Sequence, residues 1–136
     1  MDLAISKFLN LSHEDAQMLT AGMMFGQKIR ILYNAVKRTS YKNKSEILSA
    51  LNTLRNKVKR NVVAHSYMVT DENTVTFIER SGAHSYESFR HEFTLATFKD
   101  HVKLLTNTGQ ELFEALEITN AELQEFGKTA FMSAKS

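Results

Sequence analysis

Arg60, Asn61 and His65 are the residues of this chain whose types and spacing can do chemistry together. A histidine is the side chain that gains and loses a proton near pH 7. An arginine beside it is a permanent cation for a phosphate on which charge builds during reaction. Together they suit cleavage of RNA without a metal ion: His65 takes a proton from the ribose 2'-hydroxyl or gives one to the leaving oxygen, and Arg60 holds the phosphate. Asn61 can orient the histidine or hold a phosphate oxygen. On one continuous helix Asn61 and His65 lie about 40° apart, whereas Arg60 and His65 are about 140° apart and about 7.5 Å apart along the axis. Arg60 therefore meets His65 only by bending around the helix or by reaching a second copy of it.

These residues end the stretch SEILSALNTLRNKVKRNVVAHSY, residues 45 to 67. Its seam of Ile47, Leu51, Leu54, Val58 and Val62 steps by four and three, which suits one buried face of a helix. Arg55, Lys57 and Lys59 extend a positive surface that can track an RNA backbone, or be no more than a solvated helix face.

The run RNVVAH resembles the signature of the HEPN superfamily, an Arg followed by a polar residue and then by His after four to six intervening residues. The Tyr at 67, in RNVVAHSY, extends the likeness to the HEPN toxins paired with nucleotidyltransferase antitoxins. The resemblance implies a mainly all-α, HEPN-like bundle of four to five helices, and a ribonuclease of a toxin or defence type. It further implies an Arg60 and His65 site assembled across a homodimer, with Tyr67 as a site of adenylylation. An acidic residue that supports such a site in the family has three candidates here, Glu14, Asp15 and Glu46. The competing expectation is a HEPN-fold adaptor that binds a larger complex subunit and cleaves nothing.

The 136 residues are enough for one domain with a real core, with 43% apolar residues, no Pro and five Gly. Few breakers favour long helices. The absence of Cys excludes disulfides and thiolate zinc sites, and fits a cytoplasmic location. No apolar run reaches the roughly 18 residues that span a bilayer, so no membrane partner is expected. Residues 1–65 carry 11 Lys or Arg against 4 Asp or Glu, and residues 66–136 carry 6 against 11. The motif thus falls in the basic half, which suits an anionic partner. His84, His91 and His101 lack the spacing of a metal site, and no cofactor loop is present.

Around the motif the pattern predicts a helix over about 12–38, capped by Ser12 and burying Ala16, Leu19, Met23, Gly26, Ile29, Tyr33 and Val36, with Met18, Phe25 and Leu32 on a second apolar row. Gly22 and Gly26, one turn apart, are expected to admit a neighbouring backbone. The motif helix is expected over 45–66, capped by Ser45. Alternation in TVTFIER and SYESFRHEF predicts a β-hairpin over about 74–93. Thr94 is expected to cap a last long helix over 95–117, and Thr119 with Glu122 to box the start of a short one running into a frayed end at 119–136.

Overall fold

The computed structural model describes residues 1–58, 66–81 and 87–132. Among them are six helices and a small sheet, in the order α1 (Asp2–Leu9), α2 (His13–Thr20), α3 (Phe25–Lys37), α4 (Lys44–Asn56), β1 (Tyr67–Thr70), β2 (Thr74–Ser81), β3 (Glu87–Thr94), α5 (Leu95–Ala115) and α6 (Asn120–Met132). The chain is mainly helical, with one three-stranded antiparallel sheet in the order β1, β2, β3.

The apolar seam of α4 organises the larger core. Ile47, Ala50, Leu51 and Leu54, with Val58 just beyond the helix, are all buried. They pack with Ile29, Leu32 and Val36 of α3, with Ala4 and Ile5 of α1, and with Leu112, Ala115 and Leu116 at the end of α5. The helix begins at Lys44, with Asn43 rather than Ser45 at its cap. The Asn43 amide donates to the Ala115 carbonyl at 2.9 Å, fastening the start of α4 to the end of α5. Ser45 instead donates to the Glu46 carboxylate at 2.7 Å.

The single helix expected over 12–38 is two. Ser12 does cap α2, accepting from the Asp15 amide at 3.0 Å, but α2 stops at Thr20 and α3 begins at Phe25. Gly22 stands between them at φ 75°, a left-handed backbone that no helix interior contains. The Met24 amide then donates to the Gln27 side chain at 2.8 Å, opening α3. With the break, Met18 and Leu19 turn outward and are exposed, whereas Ala16, Ile29, Leu32 and Val36 are buried. Neither glycine admits a neighbour: a Cβ added at Gly22 or Gly26 would meet nothing within 4 Å.

Strands β2 and β3 pair antiparallel from Thr74 with Thr94 to Ser81 with Glu87. A third strand was not expected. β1 pairs with β2 from Tyr67 with Ile78 to Thr70 with Val75. The turn between them is built by Asp71, whose carboxylate accepts from the Asn73 and Thr74 amides at 2.9 Å each and from the Thr74 hydroxyl at 2.8 Å. These donors hold the Asp71 carboxyl below its ordinary range, the Asn73 amide most of all. Val75 and Phe77 are buried under Phe93 and Phe98, a second and smaller core.

Helix α5 serves both cores. Thr94 caps it, accepting from the Thr97 amide at 3.2 Å, and Phe98 lies 5.7 Å from Phe77. Its apolar residues are buried toward its end, at Leu112 and at Leu116 just past it, while Leu95 and Val102 are exposed. Beyond it the Thr119 amide donates to Glu122 at 2.7 Å and the Glu122 amide to the Thr119 hydroxyl at 3.2 Å, closing a capping box on α6. The same Glu122 carboxylate pairs with Lys7 of α1. The Lys7 ammonium first, and then the Thr119 amide and hydroxyl, lower the Glu122 pKa from 4.5 to about 2.

Two outcomes follow for stability. Gly22→Ala places a side chain in the left-handed region and should destabilise the fold by about 1–2 kcal/mol, whereas Gly109→Ala, inside α5 with open space around the new Cβ, should stabilise it by about 1 kcal/mol. Urea unfolding of the two variants checks the opposite signs. For Glu122 the folded carboxyl titrates lower than the unfolded one, so its contribution is complete above pH 4.5 and is lost as pH falls through about 2. Glu122→Gln should flatten that part of the dependence of the urea midpoint on pH between 5 and 2, leaving the part due to Asp71, which has the same sign.

Candidate functional site

The candidate site is bracketed by the end of α4 and the start of β1. Helix α4 stops at Asn56, short of the expected 66: the Lys57 and Val58 amides both donate to the Thr53 carbonyl, at 2.9 and 3.1 Å, and close it. Val58 drops back into the core. The angles of 40° and 140° assumed one helix through Arg60 and His65, and α4 does not supply it. Arg60, Asn61 and His65, with Lys59, lie outside the described residues.

The flanks are described. Arg55 and Lys57 are both exposed at the end of α4. A helix end of this kind favours cations, because its last carbonyls carry partial negative charge. These side chains therefore stand at the surface where the chain leaves the bundle. On the far side, Ser66 leads into β1, and Tyr67 is 58% exposed on that strand. The site is thus entered from a basic helix end and left along an exposed strand.

The three candidate acids occupy other places. Glu14 and Asp15 begin α2, which packs on α1 and α6, and Asp15 accepts from the Ser12 hydroxyl at 2.7 Å. Glu46 is in the first turn of α4, about 15 Å of helix from Asn56. There it lines a groove of about 590 Å³ with Asn43, Ser49, Glu111 and Glu114. The Ser45 hydroxyl beside it holds the Glu46 carboxyl below its ordinary value. Sequence patterning gave no signal for this acidic groove, because Glu111 and Glu114 come to Glu46 only through the packing of α5 on α4.

His84 lies outside the described residues. His91 sits in β3 opposite Phe77, and the His101 ring lies 5.5 Å from Phe93. Among the described residues no three His, Asp or Glu side chains come together in a way that could hold a metal ion, and no helix is long and apolar enough to cross a membrane. Compared with known proteins, the chain matches no family model, no curated protein and no solved structure.

Proposed function

We propose that the chain is an RNA endonuclease of a toxin or defence type, with a HEPN-like bundle and a site built from Arg60, Asn61 and His65. The observation that carries this reading is the run RNVVAHSY together with its flanks: exposed Arg55 and Lys57 approach it from α4, and exposed Tyr67 follows it on β1. In this reading His65 removes the proton of a ribose 2'-hydroxyl, whose oxygen bonds to the adjacent phosphorus. The bond from phosphorus to the 5'-oxygen breaks, and that oxygen leaves with the proton that the His65 imidazolium gives back. Arg60 stabilises the charge that accumulates on the phosphorane oxygens, and Asn61 orients the imidazole. No step calls for a metal ion, because a proton carrier and a fixed cation cover both needs. In this reading two copies share the site, as the resemblance of RNVVAHSY to the HEPN signature implies.

Total RNA incubated with the purified protein in EDTA tests the reading. Wild type should cleave and leave 2',3'-cyclic phosphate ends. His65→Ala and Arg60→Ala should each lose a factor of about 10²–10⁴ in rate with the fold intact. Lys57→Ala should keep the reaction but weaken RNA binding, with a shallower dependence on salt. Equal cleavage by wild type and His65→Ala would overturn the assignment. No cleavage by either, from folded protein, would leave the adaptor that binds a larger complex subunit.

Tyr67 has a place in the same reading. A nucleotidyltransferase antitoxin would bond its phenol oxygen to the α-phosphorus of ATP, with pyrophosphate leaving, and so set a phosphate beside the basic flank. Intact mass after production with such an enzyme should rise by one AMP, and Tyr67→Phe should abolish the gain. An unchanged wild-type mass would remove this role.

A further inference from the structure

Between Asp15 and Asp71 the chain holds a single acid, Glu46, and ten Lys or Arg. Helices α3 and α4 fall wholly within this interval, so packing decides where their positive charge is displayed. The two helices pack together, and the Lys44 ammonium at the start of α4 donates to the Lys37 and Thr39 carbonyls at the end of α3. They therefore run back along each other, with the start of α3 beside the end of α4.

Two contacts fix which flank of each helix looks where. On α3 the Lys28 ammonium pairs with Asp2 of α1. Arg30 and Lys37 lie about 200° and 180° around the helix from Lys28, on the flank away from α1, and within about 20° of each other. On α4 Glu46 lines a groove with Glu111 and Glu114 of α5. Arg55 lies about 180° around the helix from Glu46, on the flank away from α5. Because α3 packs between α1 and α4, and α4 between α3 and α5, these two flanks border each other.

Arg30, Lys37 and Arg55 are exposed, as are Asn34 and Asn52. Lys7, Lys28 and Lys42 pair with carboxylates, and Lys44 is held by carbonyls. The side chains of Arg30, Lys37 and Arg55, by contrast, form no ion pair among the described residues.

We infer that the outer seam between α3 and α4 binds single-stranded RNA along its phosphates, through Lys37, Arg30, Arg55 and Lys57. Lys37 and Arg30 are about 10.5 Å apart along α3, so they meet different phosphates. Unpaired cations neutralise a phosphate backbone, and arginine does so with two parallel N–H donors. The amides of Asn34 and Asn52 add donors and acceptors for phosphate oxygens and sugar hydroxyls. The one acid of the two helices is turned toward α5, so neither helix sets a carboxylate against a polyanion on this side. The row ends at Arg55 and Lys57, the last charged residues described before RNVVAHSY. The choice of RNA rests on the ribonuclease reading, whereas the position of the surface rests on the helices alone.

Binding is measured with His65→Ala protein and a fluorescent, unstructured single-stranded RNA, so that cleavage does not enter. Each phosphate contact to a single strand contributes about 0.7 to the slope of log Kd against log salt concentration. Arg30→Gln combined with Lys37→Gln should therefore lower the slope by about 1.4 and weaken binding roughly tenfold or more in about 0.1 M salt. Lys99→Gln combined with Lys128→Gln removes the same charge from exposed positions on α5 and α6 and should leave the slope unchanged. Circular dichroism and urea midpoints should agree between the two double variants, since all four positions are exposed. An equal fall in slope for both would overturn the surface, leaving net charge as the attraction. So would an unchanged slope for Arg30→Gln with Lys37→Gln, no RNA binding at all, or tighter binding of a polyglutamate peptide of the same charge than of the RNA. Cleavage is read separately with His65 intact. A chain that binds along this row and cleaves nothing keeps the surface and loses the enzyme. One that cleaves while Arg30→Gln with Lys37→Gln binds as tightly as before keeps the enzyme and loses the surface.

Discussion

The packing of α4 against α3 and the end of α5 is the constraint on which the rest of the structure depends. Ile47, Leu51 and Leu54 present one face that three other helices cover, and Asn43 fixes the axial position of α4 by donating to the Ala115 carbonyl. Burial of that face sets where α4 ends, because Val58 has to turn into the core as Arg55 and Lys57 remain at the surface. The bundle thus positions the last described residues before the motif.

How much of this was legible in the sequence depended on whether the signal was local. The Ser12, Thr94 and Thr119 caps rest on contacts three residues apart, and β2 and β3 each show their own alternation, so local pattern carries both. The expected seam of α4 is buried from Ile47 to Val58, and the helix closes at Asn56 where the Lys57 and Val58 amides both turn to the Thr53 carbonyl, a hydrogen-bond choice that a periodicity of four and three does not reveal; Val62 lies outside the described residues. The long helix over 12–38 failed for a related reason. Apolar spacing ran through TAGMMFG without a Pro, and the break depends on a left-handed Gly22, which spacing alone does not reveal.

Strand β1 was missed because Tyr67 to Thr70 are exposed on both faces and show no alternation of apolar and polar residues. The residue that announces it is Asp71, whose turn brings the chain back on itself. For the candidate site, the residue types suggested a chemistry, and what the structure adds is the exposure of Arg55 and Lys57 before the motif and of Tyr67 after it. The acidic groove of Glu46, Glu111 and Glu114 was invisible in one dimension, since Glu46 lies more than sixty positions from the other two.

Helix α5 is the element shared by two cores that otherwise have no buried residue in common. Its last turns belong to the bundle and its first turns to the sheet, with exposed Val102 between them. Cooperativity between two cores is limited by what joins them, and among the described residues that is α5. Among the described residues the buried core of the sheet is Val75 and Phe77 under two further aromatic rings, much the smaller of the two, and local opening starts where fewest apolar groups are buried. An opening of that kind would loosen the strand that follows the motif and leave the helix that precedes it in place.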